Sequence, residues 1–439
     1  MHEPAIKKSL RFSLLDGLFA SIMFGISETF IVPYAIAMKA SVRQIAVLSS
    51  LPGLVGALLQ VKSASIVERL GSRKELINSS VLIHALMWLP IIALPYLMSG
   101  GAGAQPILLI IFYTLFIAAG SLALPAWSSL MADHVPETER GRVFGWRNRV
   151  FGAIHVLSMF SAGLVLYLSK RFGLHGFLGF TGIFIIAFIS RLISWNFLTR
   201  MYEPQLKISK EDRFSIFDFL KRMKSSNFGR FVIFVAAMNF ATLLAGPFFS
   251  VLMLRELKFN YLTYTIILMA ATLTGFAAMK VWGTHADRFG NRRILRLTSL
   301  FIPIIPILWL FSQKPIYLIF IQVYSGFLWS GFNLSASNFI YDAVTPQKRT
   351  RCIAYFNVIN GLAIFSGATL GGLLLKFLPN LFGYKILTLL LISGILRFFA
   401  AGLCMFVKEV RHVKDISNLG LFYNMMGFKP APSLSVEKE

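Results

Sequence analysis

Two charged segments, 219 residues apart, repeat one pattern of acids, bases and glycine. The first is "SASIVERLGSRK" at 63–74, and the second is "WGTHADRFGNRR" at 282–293. Each contains a small residue, an acid followed by a base, a glycine and two final bases. A carboxylate beside a guanidinium can form an ion pair, which contributes about 0–1 kcal/mol in water and more where water is excluded. The chemistry predicted for both segments is therefore reversible ion pairing.

A second set of charged positions repeats between the two parts of the chain. "ADHVPETERGRVFGWRN" at 132–148 aligns with "YDAVTPQKRTRCIAYFN" at 341–357, and Glu203 aligns with Glu409. The aligned charges within the two segments are Asp133 with Asp342, Arg140 with Arg349, and Arg142 with Arg351. Because the matches keep the same order along the chain, the sequence predicts two repeated halves.

The chain lacks the residue groupings of most enzymes and pumps. His, Cys and carboxylate residues form no cluster with metal-ligand spacing, and Cys352 and Cys404 are too few for a disulfide framework. No Gly-x4-Gly-Lys-Ser/Thr segment, which would bind nucleotide phosphates, occurs. We therefore expect no enzyme, no ATP-driven pump, no metal and no cofactor.

The elements that carry these charges are expected to lie in a lipid bilayer. Of the 439 residues, 56% are hydrophobic and only 14% are charged, and the mean hydropathy is +0.68. A soluble protein of this length needs far more polar residues to cover its surface. The composition therefore indicates an integral membrane protein with the bilayer as a partner.

Twelve apolar windows are long enough, at about 20 residues, to cross the hydrocarbon layer as helices. They lie at 12–38, 44–67, 76–98, 106–132, 142–169, 176–199, 230–254, 261–284, 294–312, 316–341, 352–377 and 384–407. The first window is too long for a signal peptide and contains Asp16 and Glu28. We therefore expect it to be retained as a membrane helix.

The excess of basic residues predicts the orientation of these helices. The 43 Lys and Arg residues outnumber the 19 acids, giving a net charge of +24, which in a soluble protein would suggest nucleic acid binding. With the N-terminus inside, most of the bases fall at the cytoplasmic ends of the helices. We therefore expect a plasma (inner) membrane protein with both termini cytoplasmic and without a nucleic acid partner.

A long charged stretch separates the two halves. We expect six-helix halves at 1–199 and 230–407, a cytoplasmic linker at 200–229 and a cytoplasmic tail at 408–439. Five apolar side chains of the linker fall on one helical face: Phe214, Ile216, Phe217, Leu220 and Met223. Because the other face is charged, the pattern predicts a helix that lies on the membrane surface.

These repeats make the chain resemble the major facilitator superfamily of secondary transporters. The family signature, Gly-x3-Asp-Arg-x-Gly-x-Arg-Arg, is complete in the second half and slightly degenerate in the first, where Ala64 and Glu68 replace Gly and Asp. The Asp-x6-Arg pairs resemble an element of its sugar-porter branch. The resemblance covers nearly all of 12–407. It implies an all-α integral membrane protein with 12 transmembrane helices in two pseudo-symmetric six-helix halves.

The resemblance also implies a gating role for the repeated charges. Such transporters open to one side at a time by rocking their halves around a central site, so ion pairs could close the cytoplasmic side and still release. The predicted gating residues are Glu68, Arg69, Gly71, Arg73, Lys74, Asp133, Arg140, Arg142, Glu203, Gly283, Asp287, Arg288, Gly290, Arg292, Arg293, Asp342, Arg349, Arg351 and Glu409. The alternative is that the bases only follow the cytoplasmic excess of positive charge.

In this family the first, fourth, seventh and tenth helices line the transport path. Glu28, in "GISETFIVPY", lies well inside the first window and has no acidic counterpart in the seventh. Because burial favours a neutral carboxyl group, Glu28 is a candidate to bind a proton or a cationic substrate; the alternative is a protonated structural residue. Further candidates for substrate contact, or for helix packing, are Trp127, Asn239, Gln322, Trp329 and Asn333.

Lys62 and Lys280 could extend to the cytoplasm or could face the transport path, where they would favour an anionic substrate. Three further charges within the windows are interpreted as structural. We expect Asp16 near a helix end or interface, and Arg191 and Arg397 in structural ion pairs on supporting helices. Gly367 and Gly371 form a Gly-x3-Gly pair, which indicates close helix packing.

Together these features predict a secondary active transporter of a small organic solute, acting by alternating access as a monomer, with proton coupling through Glu28 as one option. The aromatic content of 14% favours an alternative, an exporter or flippase of amphiphiles or lipids. A non-transporting membrane sensor is a third interpretation. Because the fourth window lacks the buried arginine of many proton-coupled members, the coupling ion stays open, as do the branch and the transport direction.

Overall fold

The computed structural model describes residues 3–97, 104–135, 140–174, 176–204, 216–223 and 225–411, whose regular structure is helical. Eleven helical segments in these ranges are long and apolar enough to cross a membrane. Numbered by their place in the chain, they are span 1 Ile6–Ala37, span 2 Val42–Gln60, span 3 Arg73–Leu97, span 4 Ala104–His134, span 5 Val143–Arg171, span 6 Leu178–Thr199, span 7 Asn227–Glu256, span 8 Tyr261–Phe289, span 10 Pro315–Ala343, span 11 Arg351–Leu374 and span 12 Lys385–Phe406. The all-helical membrane fold predicted from the sequence is confirmed.

Span 9, predicted as one helix at 294–312, is two shorter helices, Asn291–Phe301 and Ile304–Leu308. Pro303 lies between them, and a proline inside a helix removes an N–H donor and clashes with the preceding turn. The backbone N–H of Ile302 still donates to Thr298 at 2.9 Å, and that of Ile305 to Ile302 at 3.2 Å. These hydrogen bonds link the two helices, which occupy the place of the ninth predicted span.

The spans of each half pack mainly against one another. In the first half, span 1 packs against spans 5 and 6, and span 4 packs against spans 2 and 3. In the second half, span 7 packs against spans 11 and 12, and span 8 packs against span 10. The Gly-x3-Gly pair has the predicted role, because a side chain at Gly367 or Gly371 would collide with the backbone of span 7 at Phe240 or Leu244.

Two further helix pairs join the halves, span 2 with span 11 and span 5 with span 8. A Cβ atom at Gly361 of span 11 would lie 3.2 Å from the Cα atom of Leu54, and one at Gly152 of span 5 would lie 2.9 Å from the Phe276 ring. Asn357 of span 11 also donates to Gln60 of span 2 at 2.9 Å. The two halves are thus in contact along two helix pairs.

Prolines interrupt spans 1 and 7 at corresponding places. Span 1 changes from α-helix to a short 3-10 turn at Glu28–Phe30, just before Pro33. Pro33 has no N–H, so the carbonyl of Thr29 lacks its usual helical donor and instead accepts a 3.3 Å hydrogen bond from the Tyr264 hydroxyl of span 8. Span 7 is interrupted after Leu243 and resumes at Phe248, beyond Pro247.

The bundle has two distinguishable ends. We call the end that carries the two repeated charged segments the motif end, and the other the opposite end. At the opposite end the halves touch, because Arg255 of span 7 donates to the carbonyl of Ala40 at 2.7 Å and the rings of Phe180 and Tyr261 meet at 5.5 Å. The Tyr264–Thr29 hydrogen bond adds a third contact between the halves on this side of Glu28.

The linker helix, Ile216–Arg222, packs partly against the rest of the protein. Phe219, which was not assigned to the apolar face, is buried against Phe228 and Tyr355, with ring centroids 5.9 and 5.7 Å away. Leu220, assigned to that face, is 42% exposed. The apolar spacing was also compatible with burial against protein. Of the other predicted positions, Phe214 and the Phe217 side chain lie outside the described residues.

Candidate functional site

The first charged segment forms an ion-pair cluster at the motif end of the first half. Arg73 is only 3% exposed, and its Nη1 atom lies 2.7 Å from Oδ2 of Asp133 on span 4. Its Nε atom lies 3.4 Å from Oε1 of Glu203, just after span 6. One guanidinium therefore joins the ends of spans 3, 4 and 6.

Local backbone geometry places Glu203 against the start of span 3. Gly71 ends the short helix Ser63–Leu70 with a φ of 69°, a left-handed conformation that suits glycine, and Ser72 then caps span 3. The Ser72 hydroxyl donates to Glu203 Oε2 at 2.6 Å, and the backbone N–H of Arg73 donates to Oε1 at 2.7 Å. The carboxylate thus neutralises the positive end of the helix as well as Arg73.

The second half repeats this arrangement around Glu409. The backbone N–H of Arg292 donates to Glu409 Oε2 at 2.8 Å, and Gly290, with a φ of 89°, leaves the space that a Cβ atom would take from that carboxylate. Asn291 donates to Asp342 on span 10 at 2.7 Å. Both predicted segments therefore hold an acid from the end of the half at the start of its third helix.

Sequence reasoning missed the central cation of the second cluster, Arg411. Its Nε atom lies 2.8 Å from Asp342 Oδ2, and its Nη1 atom lies 3.3 Å from Asp287 Oδ1. The hydrogen bond to Asp342 raises the pKa of Arg411 further above its usual value. The Nε atom of Arg292, one of the predicted gating residues, is buried without a hydrogen bond partner. In the sequence, the only sign of this role was that Arg411 is a base two residues after Glu409. The first half has no base at the corresponding position after Glu203, so the repeat alignment did not mark it.

The other predicted gating residues differ in their surroundings. Glu68 and Arg69 are exposed, and Arg288 lies over the Phe289 ring at 5.2 Å. Arg349 donates to the carbonyl of Tyr341 at 3.2 Å. The backbone N–H of Lys74 donates to Glu203 at 3.3 Å, and Arg293 and Arg351 interact with neighbouring groups. A Cβ atom at Gly283 would make only an ordinary van der Waals contact. The side chains of Arg140 and Arg142 lie outside the described residues. Each of the two ion-pair clusters, around Arg73 and around Arg411, therefore connects helix ends within a single half.

A separate cavity lies inside the first half and contains Glu28. Its volume is about 290 Å³, and it is lined by Glu28, Ile31 and Val32 of span 1, Leu48, Ser49, Pro52 and Gly53 of span 2, and Tyr113 and Ile117 of span 4. Glu28 lines this cavity and is an exposed residue. The Oγ atom of Ser49 is buried in the wall without a hydrogen bond partner. The cavity therefore combines one carboxyl group, two hydroxyl groups and mostly apolar walls.

The interruptions of the helices create this space. Glu28 begins the 3-10 turn of span 1, so its side chain leaves the regular helical spacing at the cavity wall. Span 2 contains Pro52 inside its helix, and a Cβ atom at Gly53 would have no neighbour within 4 Å. A proline and a glycine side by side therefore leave room where three spans converge.

The other candidate contact residues lie outside the lining of this cavity. Trp127 stacks on Arg147, whose Cζ atom lies 4.8 Å from the indole ring, and Asn239 donates to Asn360 at 2.8 Å. Trp329 packs edge-on against Phe332. Gln322 is partly buried and Asn333 is exposed on span 10.

Asp16 was predicted near a helix end or interface, and this is wrong. It is buried, accepts a 2.7 Å hydrogen bond from Ser194, and lies 4.0 Å from Arg191, which also donates to His84 at 3.1 Å. The structural pairing of Arg191 is present, because Ser194 and Arg191 occupy one face of span 6 that packs on span 1. Arg397 differs, since its described side-chain hydrogen bond goes to the hydroxyl of Ser393 at 3.2 Å rather than to an acid.

Comparison with solved structures supports the same fold. The nucleoside transporter NupG superposes with a TM-score of 0.67 at 14% identity, covering 91% of this chain and 98% of that one. A bacterial homologue of the iron transporter ferroportin in an inward-facing state gives 0.63 at 13%, covering 92% and 98%. A bacterial homologue of the human lysosomal transporter Spinster, also inward-facing, gives 0.55 at 14%, covering 92% and 95%. At these identities the likeness shows the fold alone.

Comparison of the sequence identifies the family. No curated protein sequence matches the chain significantly. The family model described as Major Facilitator Superfamily matches residues 17–309 and 231–421, which together include nearly the whole described chain. The chain therefore belongs to the Major Facilitator Superfamily and is a multi-pass membrane transporter of a small molecule.

Proposed function

We propose that the protein is a secondary active transporter that moves a small organic solute by alternating access, with Glu28 as its coupling carboxyl group. The observation that carries the proposal is the Glu28 side chain in a cavity between spans 1, 2 and 4. A carboxyl group in such surroundings binds a proton readily, because apolar walls disfavour its charged form. Protonation then neutralises the site before the halves move.

The contacts between the halves support a rocking mechanism. Spans 2 and 11, and spans 5 and 8, join the halves as two continuous helix pairs, and the opposite end adds the Arg255–Ala40 and Tyr264–Thr29 hydrogen bonds. We assign this arrangement to a state closed at the opposite end. The inward-facing descriptions of two structures with the same fold are in keeping with that assignment.

The two ion-pair clusters have a gating role in this proposal. Each cluster fixes the helix ends of one half, so that the half moves as a unit, while the exposed Glu68, Arg69 and Asp287 are available to the facing half. The halves correspond to 1–199 and 230–407. The excess of bases at the motif end supports a cytoplasmic location for this end and both termini.

Glu28→Gln tests the coupling role in proteoliposomes, with a substrate first identified by thermal-shift screening of solutes. The variant should lose proton-driven accumulation and keep counterflow exchange, because exchange needs only the loaded carrier to move. Thr242→Ala is the control, since Thr242 is the residue of span 7 that corresponds to Glu28 when Pro33 is aligned with Pro247. Normal accumulation by Glu28→Gln would refute the coupling role.

A further inference from the structure

The geometry points to a binding site for a small inorganic anion, of the kind of chloride, at Arg397 inside the second half. This site is separate from the Glu28 cavity and from the two ion-pair clusters, so the inference goes beyond the proposed function. Arg397 lies within span 12 and is only 2% exposed. A guanidinium group stays protonated in proteins. Its burial therefore places a permanent positive charge in the interior of the second half.

The described contacts of Arg397 leave this charge without a counter-ion. Its Nε atom donates to the Ser393 hydroxyl at 3.2 Å, and that hydroxyl donates to the carbonyl of Ala241 on span 7 at 2.6 Å. Among the described residues, no acid forms an ion pair with Arg397. A hydroxyl group accepts a hydrogen bond but does not cancel a charge, and the N–H groups of both Nη atoms remain as donors. A buried cation in this condition is strongly unfavourable unless an anion accompanies it.

The helices that enclose Arg397 supply no acid near it. Span 12 packs against span 7 and against both helices of span 9. These three spans contain a single acid, the exposed Glu256 at the opposite end of span 7. Gly394, on the same helical face as Arg397, packs so closely on span 9 that a Cβ atom there would lie 2.9 Å from the Ile307 side chain. The counter-ion therefore has to be a bound ion rather than a side chain of these helices.

The first half shows an acid in the corresponding role. Arg191 of span 6 aligns with Arg397 of span 12 at the same offset as the two acids that follow these spans, and it is also buried. Asp16 of span 1 lies 4.0 Å from Arg191. Ser194 joins the two, because it accepts from Arg191 at 2.9 Å and donates to Asp16 at 2.7 Å. Span 7, which corresponds to span 1, has no acid that could do the same for Arg397.

The surroundings of Arg397 select a small monoanion. One negative charge balances one guanidinium group, and neighbouring N–H groups of the guanidinium can donate to one acceptor together. A buried water molecule could accept these hydrogen bonds but would leave the charge unbalanced. Chloride carries a single charge on a single atom, so it needs little space between closely packed helices. Binding of chloride should therefore stabilise the folded second half.

The test measures chloride binding by the purified full-length protein in lipid nanodiscs. Equilibrium dialysis against radioactive chloride, with gluconate keeping the ionic strength constant, gives the amount bound per protein. We expect stoichiometric binding by the wild type and none by Arg397→Met, which removes the cation. Arg191→Met is the matched control and should keep the chloride, because Arg191 has an acid of the protein as its partner. Replacing gluconate by chloride should also raise the melting temperature of the wild type, since a bound ion stabilises by mass action.

Ser393→Asp separates the missing counter-ion from any effect on folding. The substitution keeps the guanidinium and places a carboxylate where the Ser393 hydroxyl now accepts from Nε of Arg397. We expect this variant to bind no chloride and to have a melting temperature that does not depend on chloride. Absence of chloride binding by the wild type, or undiminished binding by Arg397→Met or by Ser393→Asp, would overturn the anion site.

Discussion

Replacing Glu203 by Gln tests whether the first ion-pair cluster stabilises the motif end. Glu203 accepts hydrogen bonds from the Ser72 hydroxyl and from the backbone N–H of Arg73, and it also pairs with the Arg73 side chain. Glutamine has nearly the same shape but no charge. The NH₂ group of the glutamine would also face the N–H and O–H donors of Arg73 and Ser72. The substitution therefore removes the attraction without leaving a cavity.

The expected loss follows from the burial of each partner. The side chain of Arg73 is 4% exposed and that of Glu203 is 17% exposed, so water replaces little of the lost interaction. Hydrogen bonds to charged groups contribute about 1.5–3 kcal/mol, and an abandoned buried charge costs about 3–5 kcal/mol. In the variant, Arg73 would still pair with Asp133 at 2.7 Å, so its charge would not be left without a partner. The loss should therefore lie near the lower of these values. We expect Glu203→Gln to lower the free energy of unfolding by about 2–3 kcal/mol.

Reversible unfolding in sodium dodecyl sulfate measures this loss, and Asp287→Asn is the matched control. Asp287 also pairs with an arginine, Arg411, but its side chain is 75% exposed. Exposed ion pairs contribute about 0–1 kcal/mol, so Asp287→Asn should change stability by less than 1 kcal/mol. A loss for Glu203→Gln no larger than that of Asp287→Asn would refute the argument from burial.

Three further outcomes are expected. Asp287→Asn should slow transport and leave equilibrium substrate affinity within a few fold, as measured by uptake and binding assays, since the residue lies at the motif end; a normal transport rate would contradict its gating role. Ser225→Cys should react with impermeant thiol reagents only from the cytoplasmic side of oriented vesicles, and labelling from outside would reverse the proposed topology. Tyr264→Phe removes the hydrogen bond to Thr29 and should shift the population toward opening of the opposite end about fivefold, the size of about 1 kcal/mol. Spin-label distances across the opposite end would measure this shift, and an unchanged distribution would exclude a closing role for that bond.

The sequence predicted some residues of the ion-pair clusters and missed others. The alignment of Glu203 with Glu409 anticipated two acids that bind corresponding helix starts, because the turns containing Gly71 and Gly290 have the same local pattern. It did not anticipate Arg411, because the position lies in a tail with no repeated pattern to align. Asp16 was misplaced because its distance along span 1 does not reveal which neighbouring helix it faces.

The sequence by itself determined the class, most of the helical spans, the two halves and the family of this protein. These properties depend on composition, apolar length and repeated order, which are readable along the chain. Only the tertiary structure decided that Ser49 and Tyr113 share a cavity with Glu28. Those residues come from three spans, and the space between them depends on where Pro52 and the 3-10 turn of span 1 interrupt regular helix packing. A cavity is the volume that packing leaves unfilled, so it becomes visible only when the helices are placed together.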